Sequence, residues 1–397
     1  MPSVLPDEVL QRIVDEFQVT STRAELVQLA LALPTPVSLA LRTRPVLASS
    51  TSAQQYIRHI DEDKSIALFP RILTVQRGTA IRRRAAGRGR KAKHEEVEDA
   101  VTPEQLVQLA QRIKGLVELH LLEPGFDVLR RRQVDFVSNL PHLRSLSIVG
   151  RTGPADRGFS LHTVGQILQG LPNLADLALR NLYCYPTALA GLSPPASKLA
   201  SFALFDTPFI TSGQLHWLVK SSIYADSLRS LSFDVPPHMP PSHLASVKWA
   251  ATPVTHLAVS SSRAKVVEGL PQHFPSLRQY AFRSPTTVDP HSLLRSCASS
   301  GSVEVIEDRS MRGGVVPLVW AEALLFARRQ PGLANLRRLS LMAPRRMHKG
   351  FRVLEEVCDM LGIQLELYNA NAETGEAPWV SAGCVAPAHP QSQFSAR

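Results

Sequence analysis

The chain has 397 residues, enough for two or three domains or for one long repeat array with appendages. Its 44% hydrophobic content supports a sizeable core, and four scattered cysteines with no C-x-x-C pair argue against a disulfide framework or a zinc site. Net charge is +10, but the eight cations between Arg77 and Lys93 leave only +2 for the rest, so the basicity belongs to one segment and not to a body built to track nucleic acid.

At the N-terminus, LPDEVLQRIVDEF (Leu5 to Phe17) predicts an amphipathic helix. Pro6 suits a first turn that needs no amide donor, and Asp7 and Glu8 suit the positive end of the helix. Val9, Leu10, Ile13, Val14 and Phe17 form one apolar stripe at helical spacing. A second amphipathic segment runs from Ala24 to Leu33 and a third from Val37 to Ala48, so residues 1–50 read as three short helices packed on one another. There is no basic start followed by an apolar run, so no secretory signal is expected. The most apolar window, Leu26 to Ala48, is broken by Pro34, Pro36, Arg42 and Arg44, so no membrane span is expected either. The chain reads as intracellular, cytoplasmic and/or nuclear.

The head resembles an F-box, the module by which substrate receptors dock on cullin–RING ubiquitin ligases. The family pattern of Leu-Pro, an acid two positions on, then Leu and Ile falls on Leu5, Pro6, Glu8, Leu10 and Ile13. The resemblance implies that this region, Val9 included, contacts a Skp-type adaptor and through it a cullin–RING ligase. It covers about 45 residues and is strongest over the first 17. One departure stands out: Arg42-Thr43-Arg44-Pro45 offers no aromatic where the family's third helix commonly carries one.

Residues 51–76 predict a helical connector; AQQYIRHIDEDKSIALFPRIL there resembles the Tyr-x-x-Ile segment that often leads such receptors from F-box to repeats. Residues 77–100 pass from cations to acids with few apolar side chains, which predicts a flexible loop. Arg82, Arg83, Arg84, Arg88, Arg90, Lys91 and Lys93 suit a nuclear-import signal or an anion site. No aromatic is interleaved for base stacking, which speaks against nucleic acid as the partner.

From residue 101 to 371 the pattern L-x-x-L-x-L recurs. It appears as Leu116/Leu119/Leu121, Leu143/Leu146/Ile148, Leu174/Leu177/Leu179, Leu199/Phe202/Leu204, Leu228/Leu231/Phe233, Val254/Leu257/Val259 and Leu277/Tyr280/Phe282. A degenerate unit around Val303 and Val305 follows, then Leu336/Leu339/Leu341 and Ile363/Leu365/Leu367. Starts from Leu116 to Leu277 are 27, 31, 25, 29, 26 and 23 residues apart. The last two apolar positions of each unit are two apart, so a strand directs both to one face. Helical stretches lie between, with a capping box expected at Thr211/Gln214 and a helix start at Asp289-Pro290. Leu140-Pro141, Leu171-Pro172 and Phe274-Pro275 each stand three residues before a strand leucine, where proline halts the helix. The expected fold is therefore α/β, with one strand and one helix per unit of about 27 residues, stacked as a solenoid of about nine parallel strands. Such an array resembles the irregular leucine-rich repeats of F-box receptors. GFRVLEEVCDMLG and IQLELY are expected to close the array with Cys358 in the core, and residues 372–397, rich in Ala, Pro, Ser and Gly, read as a disordered tail.

No G-x-x-x-x-G-K-[ST], G-x-S-x-G or H-E-x-x-H motif is present, so no catalytic residue, cofactor or metal is expected. Residues alternating with the inward leucines point to the concave face, where solenoids bind partners. Arg180, Phe205, Asp234, His256, Arg283 and Arg338 are the candidate contacts there, with Phe205 as an exposed aromatic anchor. The resemblance implies a non-catalytic substrate-recognition subunit of a Skp–cullin–F-box ligase, its substrate an unidentified protein. The alternative is a free-standing leucine-rich scaffold, nuclear through its basic loop, whose head only caps the array.

Overall fold

The computed structural model describes residues 45–68, 70–76, 100–124, 129, 131–150, 159–237, 239, 253–310, 316–327, 331–343 and 349–369. Residues 1–44 of the F-box-like head, the cations from Arg82 to Lys93 and the tail beyond Asn371 lie outside the described residues, as does Cys384; the end of the third helix expected over Val37 to Ala48 is described and holds a strand, Val46–Leu47. The chain divides into two compact units, Met1–Gly158 and Phe159–Arg397.

In the first unit, strands β1 (Val46–Leu47), β2 (Ile72–Gln76), β3 (Glu118–Leu122) and β4 (Ser145–Val149) pair in parallel in chain order. Helices α1 (Ser50–Glu62), α2 (Pro103–Arg112) and α3 (Arg131–Ser138) lie between them in sequence. The connector expected over 51–76 does contain a helix, but it also supplies β2. Strand pairing thus begins at Val46, well before the expected start at residue 101. The reason is a unit whose first apolar position is proline: Pro70, Leu73 and Val75 stand at the same three-then-two spacing, and all three are buried.

The second unit holds β5 (Asp176–Arg180), β6 (Ser201–Phe205), β7 (Ser230–Val235), β8 (His256–Ser261), β9 (Gln279–Arg283), β10 (Val305–Asp308), β11 (Arg338–Ala343) and β12 (Gln364–Asn369), again parallel and in chain order. Its helices are α4 (Leu161–Gln169), α5 (Ser212–Tyr224), α6 (Ala264–Gly269), α7 (Pro290–Ser300), α8 (Pro317–Ala327) and α9 (Lys349–Leu361). Each strand pairs with the next in sequence, always progressing the same way. Parallel crossovers are right-handed, so the connecting helices collect on one face of the sheet.

Register confirms the repeat spacing. Leu177, Phe202, Leu231, Leu257, Tyr280, Ile306, Leu339 and Leu365 are aligned partners across the eight strands. All but Leu365 are essentially inaccessible, each burial contributing on the order of 1.5–3 kcal/mol. The carbonyl just ahead of one strand accepts two consecutive amides at the start of the next: Ala200 O takes Arg229 and Ser230, Arg229 O takes Thr255 and His256, and Thr255 O takes Arg278 and Gln279. That recurring pair of bonds sets the strand starts level.

Local signals in the sequence form as expected. Thr211 and Gln214 make a reciprocal capping box, and Asp289 caps α7 with Pro290 in its first turn. At the proline junctions, Leu143 N bonds Leu140 O, Leu174 N bonds Leu171 O and Leu277 N bonds Phe274 O; these are turns with proline at the second position. Cys358 is fully buried, and burial pushes its thiol up to about 11.

The degenerate unit differs from expectation. Val303 holds the first apolar position, but Ile306 takes the second and Asp308 the third, opposite Phe282 and Leu341. Val305 faces the other way and is half-buried. An acid at a leucine position hid the spacing. Asp308 is only 6% exposed; it accepts the Ser310 amide at 2.9 Å, and desolvation raises its carboxyl above the ordinary range.

Candidate interaction face

On the face opposite the helices, hereafter the open face, the strands of the second unit present residues in three rows. The first row, at the strand starts, is Asp176, Ser201, Ser230, His256, Gln279, Val305, Arg338 and Gln364. Two residues on, the middle row is Ala178, Ala203, Ser232, Ala258, Ala281, Glu307, Ser340 and Glu366. The last row carries Arg180 and Phe205 on β5 and β6, then Asp234, Ser260 and Arg283 on β7 to β9. At about 3.3 Å per residue, the outer rows run roughly 13 Å apart.

All six candidate contacts lie on this face, in two groups. Arg180, Phe205, Asp234 and Arg283 belong to the last row, whereas His256 and Arg338 stand in the first. The last row is held by a relay of charge-assisted bonds. Arg180 Nε donates to Asp206 Oδ2 at 2.7 Å, and the Asp206 amide donates to Asp234 Oδ2 at 2.7 Å. Burial raises the Asp234 carboxyl above its usual range, and the nearby Asp206 charge adds to the rise, while the amide of Asp206 and the hydroxyl of Ser260 work against it. Asp206 reaches Arg180 because the chain turns left-handed straight after β6, at φ 48°, as it does at Asn181 after β5, at φ 54°. Short polar side chains tolerate that backbone. Asp206 was not among the sequence candidates; a polar Asn or Asp one residue past a strand is the signal that marks it.

Phe205 is not the exposed anchor the sequence suggested. It is 8% exposed and packs with Ala178 and Ala203 on the open face. Small neighbours leave the ring room to lie down on the sheet instead of standing into solvent. Arg338 is likewise engaged: its Nη2 donates to Glu307 Oε1 at 3.4 Å, and its Nε lies 3.9 Å from Glu366. His256 is exposed, its Nδ1 2.8 Å from the Thr255 hydroxyl. Partial desolvation, then the charge of Arg278, lowers its imidazole below the ordinary value.

Glu307 is the centre of the densest polar cluster on this face. It is 8% exposed and accepts Gln279 Nε2 at 2.7 Å, Arg309 Nε at 3.0 Å, Arg309 Nη2 at 2.5 Å and Arg338. Ser340 donates to Glu366 Oε2 at 2.9 Å and Gln364 to Glu366 Oε1 at 3.1 Å. Glu307 stands two residues past Val305 and so shares the open face with it, whereas a slip of one residue would exchange the two faces of the strand. Counting three then two from Val303 would have found it.

In the first unit, Glu118 and His120 occupy the open face of β3, with His120 Nε2 3.4 Å from Glu118 Oε2. Ser145 and Ser147 on β4 are 2% and 1% exposed.

Fold and face together define an α/β protein of parallel strands alternating with helices, with its apolar core on one side of the sheet and a structured polar surface on the other. No helix among the described residues is long and apolar enough to cross a membrane. Compared with known proteins, the chain matches no family model, and no curated relative is found.

Proposed function

We propose that this chain is a non-catalytic substrate-recognition subunit of a Skp–cullin–F-box ubiquitin ligase. Its array is read as a leucine-rich-repeat solenoid, its head as the adaptor-docking module and its open face as the substrate-binding surface. The carrying observation is the order of the two signals along one chain: Leu5, Pro6, Glu8, Leu10 and Ile13 in the F-box pattern, followed by strands whose repeat leucines align in strict parallel register. In this reading Leu5, Pro6 and Val9 meet the adaptor, and the receptor contributes proximity. Holding a substrate beside a ubiquitin-charged conjugating enzyme raises the effective concentration of its lysines at the thioester. The chain itself supplies no nucleophile.

A pull-down of purified Skp-type adaptor by the full chain, and by a Leu5→Ala/Pro6→Ala variant, tests the docking. Capture by the wild type and its loss in a double variant with unchanged circular dichroism supports the reading. Failure of the wild type to bind removes it.

One observation favours a second reading, a free-standing scaffold whose head only caps the array. The first strand, Val46–Leu47, stands at the end of the head segment and has a partner on one edge only among the described residues, with Val46 55% exposed. An edge of this kind calls for cover, and the head is the nearest chain to provide it. The adaptor experiment separates the two readings.

A further inference from the structure

Among the described residues nine large hydrophobic side chains are exposed, and six of them lie between Val316 and Met360, around α8 and α9. Helix α8 is apolar on two sides. Pro317, Trp320, Ala321 and Leu324 are buried, while Leu318 and Leu325 stand two turns apart on the outer side, 55% and 44% exposed, with Glu322 between them. Helix α9 repeats the arrangement: Phe351, Leu354, Val357 and Cys358 are buried, and Val353 and Met360 stand outward with Glu356 between them. The two helices meet where they begin, because a Cβ on Gly350 would lie 3.3 Å from Leu318 Cγ and 3.5 Å from Pro317 Cβ. With no side chain at Gly350, Leu318 and Val353 border one apolar groove. A helix that is apolar all round is ordinarily covered all round, and nothing among the described residues covers this outer side.

The nearest uncommitted chain is the C-terminal segment. All strands of the second unit are parallel, so β10 and β11 run into α8 and α9 at the same end of the sheet at which β12 stops, at Asn369. Trp379 is the first large apolar residue beyond that point, ten residues on, and the intervening chain spans up to about 33 Å. Crossing α9 to reach the groove takes two helix diameters, roughly 20 Å. Charge agrees with the route. Glu373 and Glu376 are the only charged residues between Asn369 and Trp379, and Lys349 and Arg352 are both exposed at the start of α9.

We infer that Trp379, with Val380 beside it, seats in the groove between α8 and α9 while Glu373 and Glu376 pass Lys349 and Arg352. The chain then covers its last helix pair with its own C-terminal segment, whatever the head and the open face bind. A second copy fits this groove less well, because pairing the α8 stripes antiparallel about their midpoint sets Glu322 against its own counterpart. A membrane surface also fits less well, since Glu322, Glu355, Glu356 and Asp359 would be pressed against anionic headgroups.

The test is the fluorescence of Trp379 in the full chain, taken as the difference between wild type and Trp379→Phe, which cancels Trp217, Trp249 and Trp320. Wild type is expected to give a blue-shifted difference spectrum, quenched by acrylamide severalfold less than free indole. In a Leu318→Ala/Val353→Ala background the same difference is expected to move to the free-indole position. Both side chains are exposed, so circular dichroism is expected unchanged. Should that pair fold poorly, Lys349→Glu/Arg352→Glu decides: it is expected to increase quenching, and adding Glu373→Lys/Glu376→Lys is expected to reverse the increase. A Trp379 as accessible as free indole in wild type would overturn the proposal, as would a shielded Trp379 indifferent to both groove pairs. So would dimers, by light scattering, or sedimentation with anionic vesicles that is lost in Leu318→Ala/Val353→Ala and kept in Trp379→Phe, since the groove would then belong to a second copy or to a membrane surface.

Discussion

Along β8, Leu257 and Val259 are sealed under the helices, while Ala258 and Ser260, each one residue away, are half-exposed on the open face. The two faces of one sheet obey different rules. The helix side is filled by aligned large apolar groups, and shape decides which residue fits. On the open side small groups form a floor over β5 to β9, and a network of bonded charges covers β10 to β12. Where charges are mutually satisfied, as around Glu307, the surface supports the protein itself. Over Ala178, Ala203, Ser232, Ala258 and Ala281 the side chains are too short to build such a network.

The contrast can be broken most forcefully from the helix side. Leu257→Ala should cost about 3 kcal/mol in denaturant unfolding, the usual range for emptying a buried leucine site, whereas Ala258→Ser should be nearly silent. Comparable losses from both would mean that the two faces are not distinct. Within the open face, Glu307→Ala should destabilise by roughly 2 kcal/mol, because it leaves Arg309 and Arg338 without their shared acceptor, and Glu307→Gln should lose less. A silent Glu307→Ala would reduce the network to ordinary surface charge.

Asp308, the acid on the apolar side, gives a smaller effect with a definite sign. Its carboxyl is raised in the folded chain, so folding favours the protonated form. That contribution is fully present below the ordinary value of 3.8 and is lost as pH rises through the folded value. Asp308→Asn keeps an acceptor for the Ser310 amide, so it should unfold at higher denaturant than wild type at neutral pH, and the gain should vanish as pH falls below 3.8. A gain that persists in acid would show that the carboxylate is not the penalised group. Smallest of all, Ser232→Ala should change stability by less than about 0.5 kcal/mol, since it removes one hydroxyl on the open face and leaves the apolar side untouched.

Much of this architecture is written locally. The three-then-two spacing of apolar residues announces each strand and which of its side chains go inward, and Thr211, Asp289 and the Leu-Pro junctions mark helix starts and ends because caps and turns depend on near neighbours only. The spacing becomes unreadable where a chemically unlike residue fills a structural slot, as Pro70 and Asp308 do. Register on the open face could be counted strand by strand, so the six candidate contacts fell on the correct side. Whether a side chain there is free or engaged could not be counted, because Arg180 owes its partner to a left-handed turn at Asp206 and Arg338 owes its own to Glu307 and Glu366 on the two neighbouring strands. Sequence order gives the surface; pairing across strands decides which of its side chains are engaged.

The most direct measurement of the functional claim is the mass of the chain mixed with purified Skp-type adaptor, taken by light scattering across a size-exclusion peak. A single peak at 43.6 kDa plus one adaptor, reverting to separate species for Leu5→Ala/Pro6→Ala, is the expected result. Two independent peaks at every concentration tried would contradict the ligase-receptor reading and leave the capped scaffold in its place.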